Sequence, residues 1–184
     1  MALEALIQLV KDVAATEVMP RFLRVGSNRK ADGSLFTEAD IAAQNAFEQG
    51  LEAIANYPML GEEMAQCDQV ALWHNNPDGL WVVDPIDGTT NFVNGLPHFA
   101  LSAALVKNGI SQLGVIFNPY TNELYAAERG QGARMNDTVL PIKRTLNPLS
   151  EAIAGVEVKY LRSGKLASRM QTLAPCGSQR SMGS

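Results

Sequence analysis

Asp84 and Asp87 stand three positions apart in WVVDPIDGTTNF (residues 81–92), at the end of an apolar run, and are followed by Gly88, Thr89 and Thr90. A second acidic pair, Glu62 and Glu63 of LGEE, closes another short apolar segment. Acids at strand ends can be turned inward by the next loop while the strands fix their origins. Crowded carboxylates repel, so a convergent cluster is costly unless protons or cations neutralise it. No lysine or arginine lies between Trp81 and Lys107, which leaves a hard, oxygen-seeking metal ion as the better neutraliser.

The intervening residues suit such a site. Pro85 fixes one dihedral and donates no hydrogen bond, so DPID can bend tightly with Asp84 and Asp87 facing one centre and the Ile86 carbonyl free as a ligand. Gly88 leaves room for a substrate to approach the main chain. The amides of Gly88, Thr89 and Thr90 could surround a phosphate oxygen if Thr89 opens a short helix, and the Thr89 hydroxyl could orient an attacking water. Plainer readings coexist with this one: an Asx turn at Asp87-Gly88, a strand simply ended by Pro85, and a solvated turn at GEE. Neither His74, in the polar WHNNPDG, nor His98, beside Pro97, has a nucleophile and orienting acid at motif spacing. GQGARMND lacks the lysine of a phosphate loop and reads as turns after a strand.

The elements that must carry these residues follow from periodicity. Leu3, Leu6, Ile7, Val10, Val13, Ala14 and Val18 predict a helix ended by Pro20. RFLRVGSNRKADGSLF predicts an exposed loop, with Lys30 as a solvated charge that could fold over a phosphate. Thr37 is an N-cap with Asp40 as a capping-box variant, and Ile41, Phe47, Leu51 and Ile54 mark one face of a second helix running towards Tyr57-Pro58. Asp40 is thus a cap residue first, with a supporting role at the acidic site open to it. LWVVD, FALSAALV, ISQLGVIF and ELYAAERG read as strands, with Asn108-Gly109 as a type I′ turn. Two helices before an antiparallel meander give an α+β class. We place one region over residues 1–145 and a second, opening with the strand AIAGVEV and the helix KYLRSGKLASRMQTL, over 146–184.

A chain of 184 residues, 46% hydrophobic, can bury a sizeable core. Its formal net charge of −4 supplies no broad cationic surface for nucleic acid or an anionic membrane. Cys67 and Cys176 read as reduced thiols, and the acidic, interrupted N-terminus is no secretory signal, so the expectation is a cytoplasmic protein without a membrane span.

Taken together, FTEAD (36–40), LGEE (60–63), WVVDPIDGTTNFVNGLPHF (81–99) and GQGARMN (130–136) resemble the inositol monophosphatase family of magnesium-dependent, lithium-sensitive phosphatases. The resemblance implies a layered α/β/α/β/α fold, homodimers and a small phosphorylated metabolite as substrate. It gives Glu62, Asp84 and the Ile86 carbonyl to a first Mg2+, and Asp84 and Asp87 to a second, with Glu63 nearby. Thr89 would help activate water, Gly88 and Thr89 would contact phosphate through their amides, Asp40 would support that network, and Lys30 would lie in a mobile active-site loop. Inositol 1-phosphate leads among substrates, ahead of fructose bisphosphate, adenosine 3′,5′-bisphosphate and histidinol phosphate. A noncatalytic binding or assembly module is the contrasting reading. The family's later WDxAAG-type motif, source of another metal-ligating aspartate, has no counterpart here, and we read the chain as a truncated form of an enzyme.

Overall fold

Leu6, Ile7, Val10 and Val13 recur at helical spacing and form the buried side of α1 (Ala2–Val13) in the computed structural model, which describes residues 1–29, 35–141, 148–155 and 171–180. The helical path continues through a π-helical turn, Ala14–Val18, and a 3-10 turn, Met19–Arg21. α-Helical bonding therefore gives way at Val13, ahead of Pro20, which sits inside the closing 3-10 turn. A proline is tolerated there because the first N–H groups of a helical segment have no partner within it.

The expected loop after α1 contains a strand pair. β1 (Ser27–Arg29) and β2 (Leu35–Thr37) are antiparallel, with Ser27 opposite Thr37. Strands of three residues are too short to show an apolar alternation, so periodicity carries no trace of them. Lys30 lies outside the described residues. α2 (Glu38–Ile54) starts on the predicted capping box. Its buried face is Ala39, Ala43, Phe47 and Leu51, whereas Ile41 is 46% exposed. The true stripe begins on small residues at four-residue intervals, and the bulkier Ile41 falls off it.

The remaining elements of this part of the chain are β3 (Met59–Gly61), α3 (Gln66–Asn75), β4 (Leu80–Asp87), α4 (Thr89–Val93), β5 (Ala100–Lys107), β6 (Ile110–Asn118), β7 (Glu123–Glu128), β8 (Gly132–Met135) and β9 (Thr138–Val139). Strands β3 to β9 form one sheet in sequence order, with β3 and β4 parallel and every later pair antiparallel. The predicted β5–β6 turn has positive φ at both Asn108 (50°) and Gly109 (71°), as a type I′ turn requires. The α+β class read from the sequence is the one observed. Helices α1 and α2 cover one face, where Leu6, Val10, Phe47 and Leu51 join Trp81, Leu101, Val115 and Phe117 in a common core. The buried indole of Trp81 donates through Nε1 to the Ala55 carbonyl at 3.0 Å, tying the start of β4 to the end of α2.

The chain divides into two compact units, Met1–Leu140 and Pro141–Ser184. In the second, β10 (Ile153–Gly155) pairs in parallel with β11 (Ser178–Arg180). β10 falls within the predicted strand AIAGVEV, while most of the predicted helix over 159–173 lies outside the described residues. Cys67 and Cys176 are both free thiols, and no helix among the described residues is long and apolar enough to cross a membrane.

Phe47, fully buried between α1 and the sheet, anchors the helix that carries Asp40. Phe47→Ala is expected to lower unfolding free energy by about 3–5 kcal/mol, the usual cost of an aromatic-sized cavity, measured by urea denaturation.

Candidate functional site

The acidic site is set by strand register. In the parallel pair Gly61 stands opposite Val83, and the Glu62 N–H continues the ladder by donating to the Val83 carbonyl at 3.2 Å. Glu62 therefore comes level with Asp84. The spacing of Asp84 and Asp87 has a related origin. Residues three apart on a regular strand point to opposite faces, but the β4–β5 register shifts between Asp84↔Ser102 and Asp87↔Ala100. That β-bulge, occupied by Pro85 and Ile86, re-aims Asp87 towards the side of Asp84. Proline, which cannot donate to a ladder, is suited to a bulge.

The charges meet at Asp84. Burial, the charge of Glu62, a hydrogen bond with Glu62 and the charge of Asp87 push the Asp84 carboxyl up to about 8 from an ordinary 3.8, against a hydrogen bond from the Ile86 backbone. Asp84 Oδ1 is buried and has no hydrogen-bond partner. A carboxylate oxygen so placed lacks the donors that would compensate its desolvation, and a hard cation is the natural substitute. Among the described residues no three acidic, histidine or cysteine side chains form a ready-made cage; the acids meet pairwise at Asp84. Still, the donor set of three carboxylates and the Ile86 carbonyl is all oxygen and fits magnesium.

The hydroxyl arm comes from α4 and α2. Gly88 adopts φ +89° as the residue before α4, and a Cβ there would come within 2.9 Å of the His98 carbonyl. The N–H groups of Asn91 and Phe92 donate to the Gly88 carbonyl at 2.8 and 3.0 Å, so the amides of Thr89 and Thr90 precede the first helical bond. Thr89 Oγ1 lies 3.1 Å from the Ile86 carbonyl and 3.3 Å from Asp40 Oδ1. On its other oxygen, Asp40 accepts from the Thr37 hydroxyl (2.6 Å) and the Thr37 N–H (2.7 Å). One carboxylate thus closes the capping box of α2 and reaches Thr89. Burial raises its proton affinity, and the bonds from Thr37 and Thr89 only partly counter this.

The structure therefore gathers Glu62, Asp84, Asp87, the Ile86 carbonyl, Gly88, Thr89 and Asp40 in one place. Thr90 is exposed on α4 and uses its carbonyl to accept from Asn94 Nδ2 at 2.8 Å. Glu63 is held by its backbone, its N–H donating to Gln44 Oε1 at 3.2 Å. His98 enters through its carbonyl, which accepts from Asn91 Nδ2 at 2.7 Å, and its side chain is exposed, as is that of His74. Gln44 and Gln69, whose amides hold the LGEE turn, were not singled out by sequence; neither belongs to a motif, and Gln69 lies on a helix with no buried residue.

Acids at a bulged strand end with a hydroxyl–carboxylate pair beside them make an oxygen-rich site at the edge of the sheet of an α+β fold. The sequence profile of the inositol monophosphatase family matches residues 2–184, and the chain belongs to that family. It is 40% identical over 136 residues to the inositol-1-monophosphatase of Rhizobium meliloti (strain 1021), covering 73% of this chain and 49% of that protein. It is 37% identical over 115 residues to Nus factor SuhB of Pasteurella multocida (strain Pm70), covering 62% of this chain and 41% of the relative. The solved IMPase of Thermotoga maritima superposes with a TM-score of 0.78 at 32% identity, over 99% of this chain and 68% of that one. The chain thus spans about half the length, or less, of these curated relatives.

Because Asp84 holds its proton more tightly in the folded chain than in the unfolded one, its contribution falls as pH rises. The penalty is absent below about pH 4, grows as the unfolded carboxyl ionises, and levels off above about pH 8. Asp84→Asn is expected to stabilise the metal-free chain by about 1–4 kcal/mol at pH 8 and by nothing measurable near pH 4, read from the difference in Tm between variant and wild type across that range.

Proposed function

We propose that the chain is the metal- and phosphate-binding part of a magnesium-dependent phosphatase that hydrolyses a small phosphate monoester, with inositol 1-phosphate as the favoured substrate. The observation carrying this reading is the convergence of Glu62 and Asp87 on Asp84, whose buried Oδ1 has no donor, beside a threonine hydroxyl within reach of a buried carboxylate.

Glu62, Asp84, Asp87 and the Ile86 carbonyl would hold the magnesium. Bound there, it supplies positive charge to phosphate oxygens and acidifies water. The chain's own groups supply the rest. The amides of Thr89 and Thr90, ahead of the first α4 hydrogen bond, offer donors to a phosphate oxygen. Thr89 Oγ1 has one hydrogen and two acceptors, Asp40 Oδ1 and the Ile86 carbonyl. With the carbonyl engaged as a ligand, the hydroxyl turns to Asp40, and its lone pair accepts a proton from water. Asp40, its proton affinity raised by burial, is the better terminal acceptor for that relay.

Preference for inositol 1-phosphate rests on the name of the Rhizobium relative; histidinol phosphate, fructose bisphosphate and adenosine 3′,5′-bisphosphate are the competitors. The reading extends to lithium inhibition, homodimers and a cytoplasmic location. The Pasteurella relative, named a Nus factor, favours a second reading, a binding module that retains the metal site without turnover.

Phosphate release from each of these esters by residues 1–184 separates the two. The first reading expects release that EDTA abolishes and magnesium restores, an outcome that sinks the second. Asp87→Asn is expected to weaken magnesium binding at least tenfold, and Thr89→Ala to lower kcat by roughly 10²–10⁴-fold while leaving magnesium affinity within about twofold. Unchanged magnesium affinity in Asp87→Asn sinks the metal assignment.

A further inference from the structure

Glu62 occupies an exposed turn, and its carboxyl meets that of Asp84 through a hydrogen bond. The turn's own hydrogen bonds show how it is held. The peptide plane between Gly61 and Glu62 is fixed at both ends: the Gly61 carbonyl accepts from Gln69 Nε2 at 2.9 Å, and the Glu62 N–H donates to the Val83 carbonyl of β4. The next plane is fixed in the same way. The Glu62 carbonyl accepts from Gln69 Nε2 at 3.1 Å, and the Glu63 N–H donates to Gln44 Oε1 of α2 at 3.2 Å. Peptide units are rigid, so immobilising the planes on both sides of one Cα fixes its φ and ψ and thereby the direction in which its side chain leaves the backbone.

We propose that Gln69, with Gln44 opposing it, is a positioning residue that aims the Glu62 carboxylate at Asp84 and so sets the affinity of the site for a divalent cation. The inference rests on the metal-site reading above. Gln69 lies in the first turn of α3, whose Asp68 and Gln69 N–H groups both donate to the Ala65 carbonyl, and its side chain reaches back over the turn that begins the helix. α3 buries no residue. An apolar core contact therefore cannot account for the placement of Gln69, whose one amide nitrogen serves two successive carbonyls of the acidic turn. Close approach supports the same role for Gln44: a Cβ on Gly61 would lie 2.3 Å from Gln44 Oε1, so the glycine lets the α2 amide come against the turn.

The test uses the 184-residue chain with magnesium alone as the probe. Gln69→Met keeps the length of the side chain and removes both donated bonds; Gln66→Ala, on the same helix, is the control. Magnesium affinity is read by calorimetry, metal-free stability by Tm, and backbone protection of Glu62 and Glu63 by amide hydrogen exchange. The expected result is a magnesium Kd about tenfold or more weaker in Gln69→Met, faster exchange at Glu63, a metal-free Tm within about 2 °C of wild type, and an unchanged Kd in Gln66→Ala. Wild-type affinity in Gln69→Met overturns the inference and leaves the metal site standing. A fall in metal-free Tm of many degrees also overturns it, showing that Gln69 serves the fold at large. Failure of the wild-type chain to bind magnesium at millimolar concentration overturns the metal-site reading and this inference with it.

Discussion

The arrangement turns on a repulsion that the backbone does not allow to relax. Ionised together, Glu62, Asp84 and Asp87 would repel one another, and three separated side chains in water would give this site no reason to form. Two features of the sheet bring them together. Parallel pairing of β3 with β4 places Glu62 level with Asp84, and the bulge at Pro85-Ile86 returns Asp87 to the same side. Each is a matter of main-chain hydrogen bonds, with an individual net worth of about 0.5–1.5 kcal/mol, repeated along strands whose other residues are largely buried. The acids inherit positions fixed by apolar neighbours.

That burial is arranged directly behind the site. Phe92 on α4 packs against Phe99 at a ring-centroid distance of 5.1 Å, and Phe22, beyond the end of α1, lies 5.4 Å from Phe92 and 5.3 Å from Phe99. The short α4 would not persist alone in water; this aromatic group holds its inner side, while its first residue, Thr89, reaches Asp40 and the Ile86 carbonyl. α2 does the same from another direction, burying Phe47 and Leu51 along its length and offering Asp40 from its first turn. The same carboxylate that starts the helix reaches the Thr89 hydroxyl, so the helix cannot move from its cap without moving Asp40 away from Thr89.

What the sequence made legible divides along physical lines. Apolar period and turn chemistry are local, and the first two helices, the β5–β6 hairpin with Asn108-Gly109, and the capping box at Thr37-Asp40 were readable from them. The acidic site was readable too, because DPIDGTTNF concentrates residues that a plain turn does not need. Its geometry was not. Spacing alone cannot show that Asp84 and Asp87 share a side through a bulge, since register depends on a partner strand that begins only at Ala100. β1 and β2 escaped because so short a strand carries no period, α3 because it presents no apolar stripe, and Ile41 misled because a bulky side chain outweighs the small residues that open the buried stripe of α2.

Gln44 and Gln69 show a further reason that functional support escapes a reading by residue type. Amides are chemically unremarked in a sequence: they neither titrate nor ligate hard ions strongly, and their value lies in donating and accepting at once. Here that value is geometric. The turn at Glu62 is exposed, and side chains from α2 and α3 reach its backbone donors and acceptors. Natural chains break local rules of charge and burial at functional sites and recover the loss in neighbouring structure. In this chain the recovery is in two parts: apolar burial fixes the strands and α4, and amide hydrogen bonds fix the turn that carries Glu62.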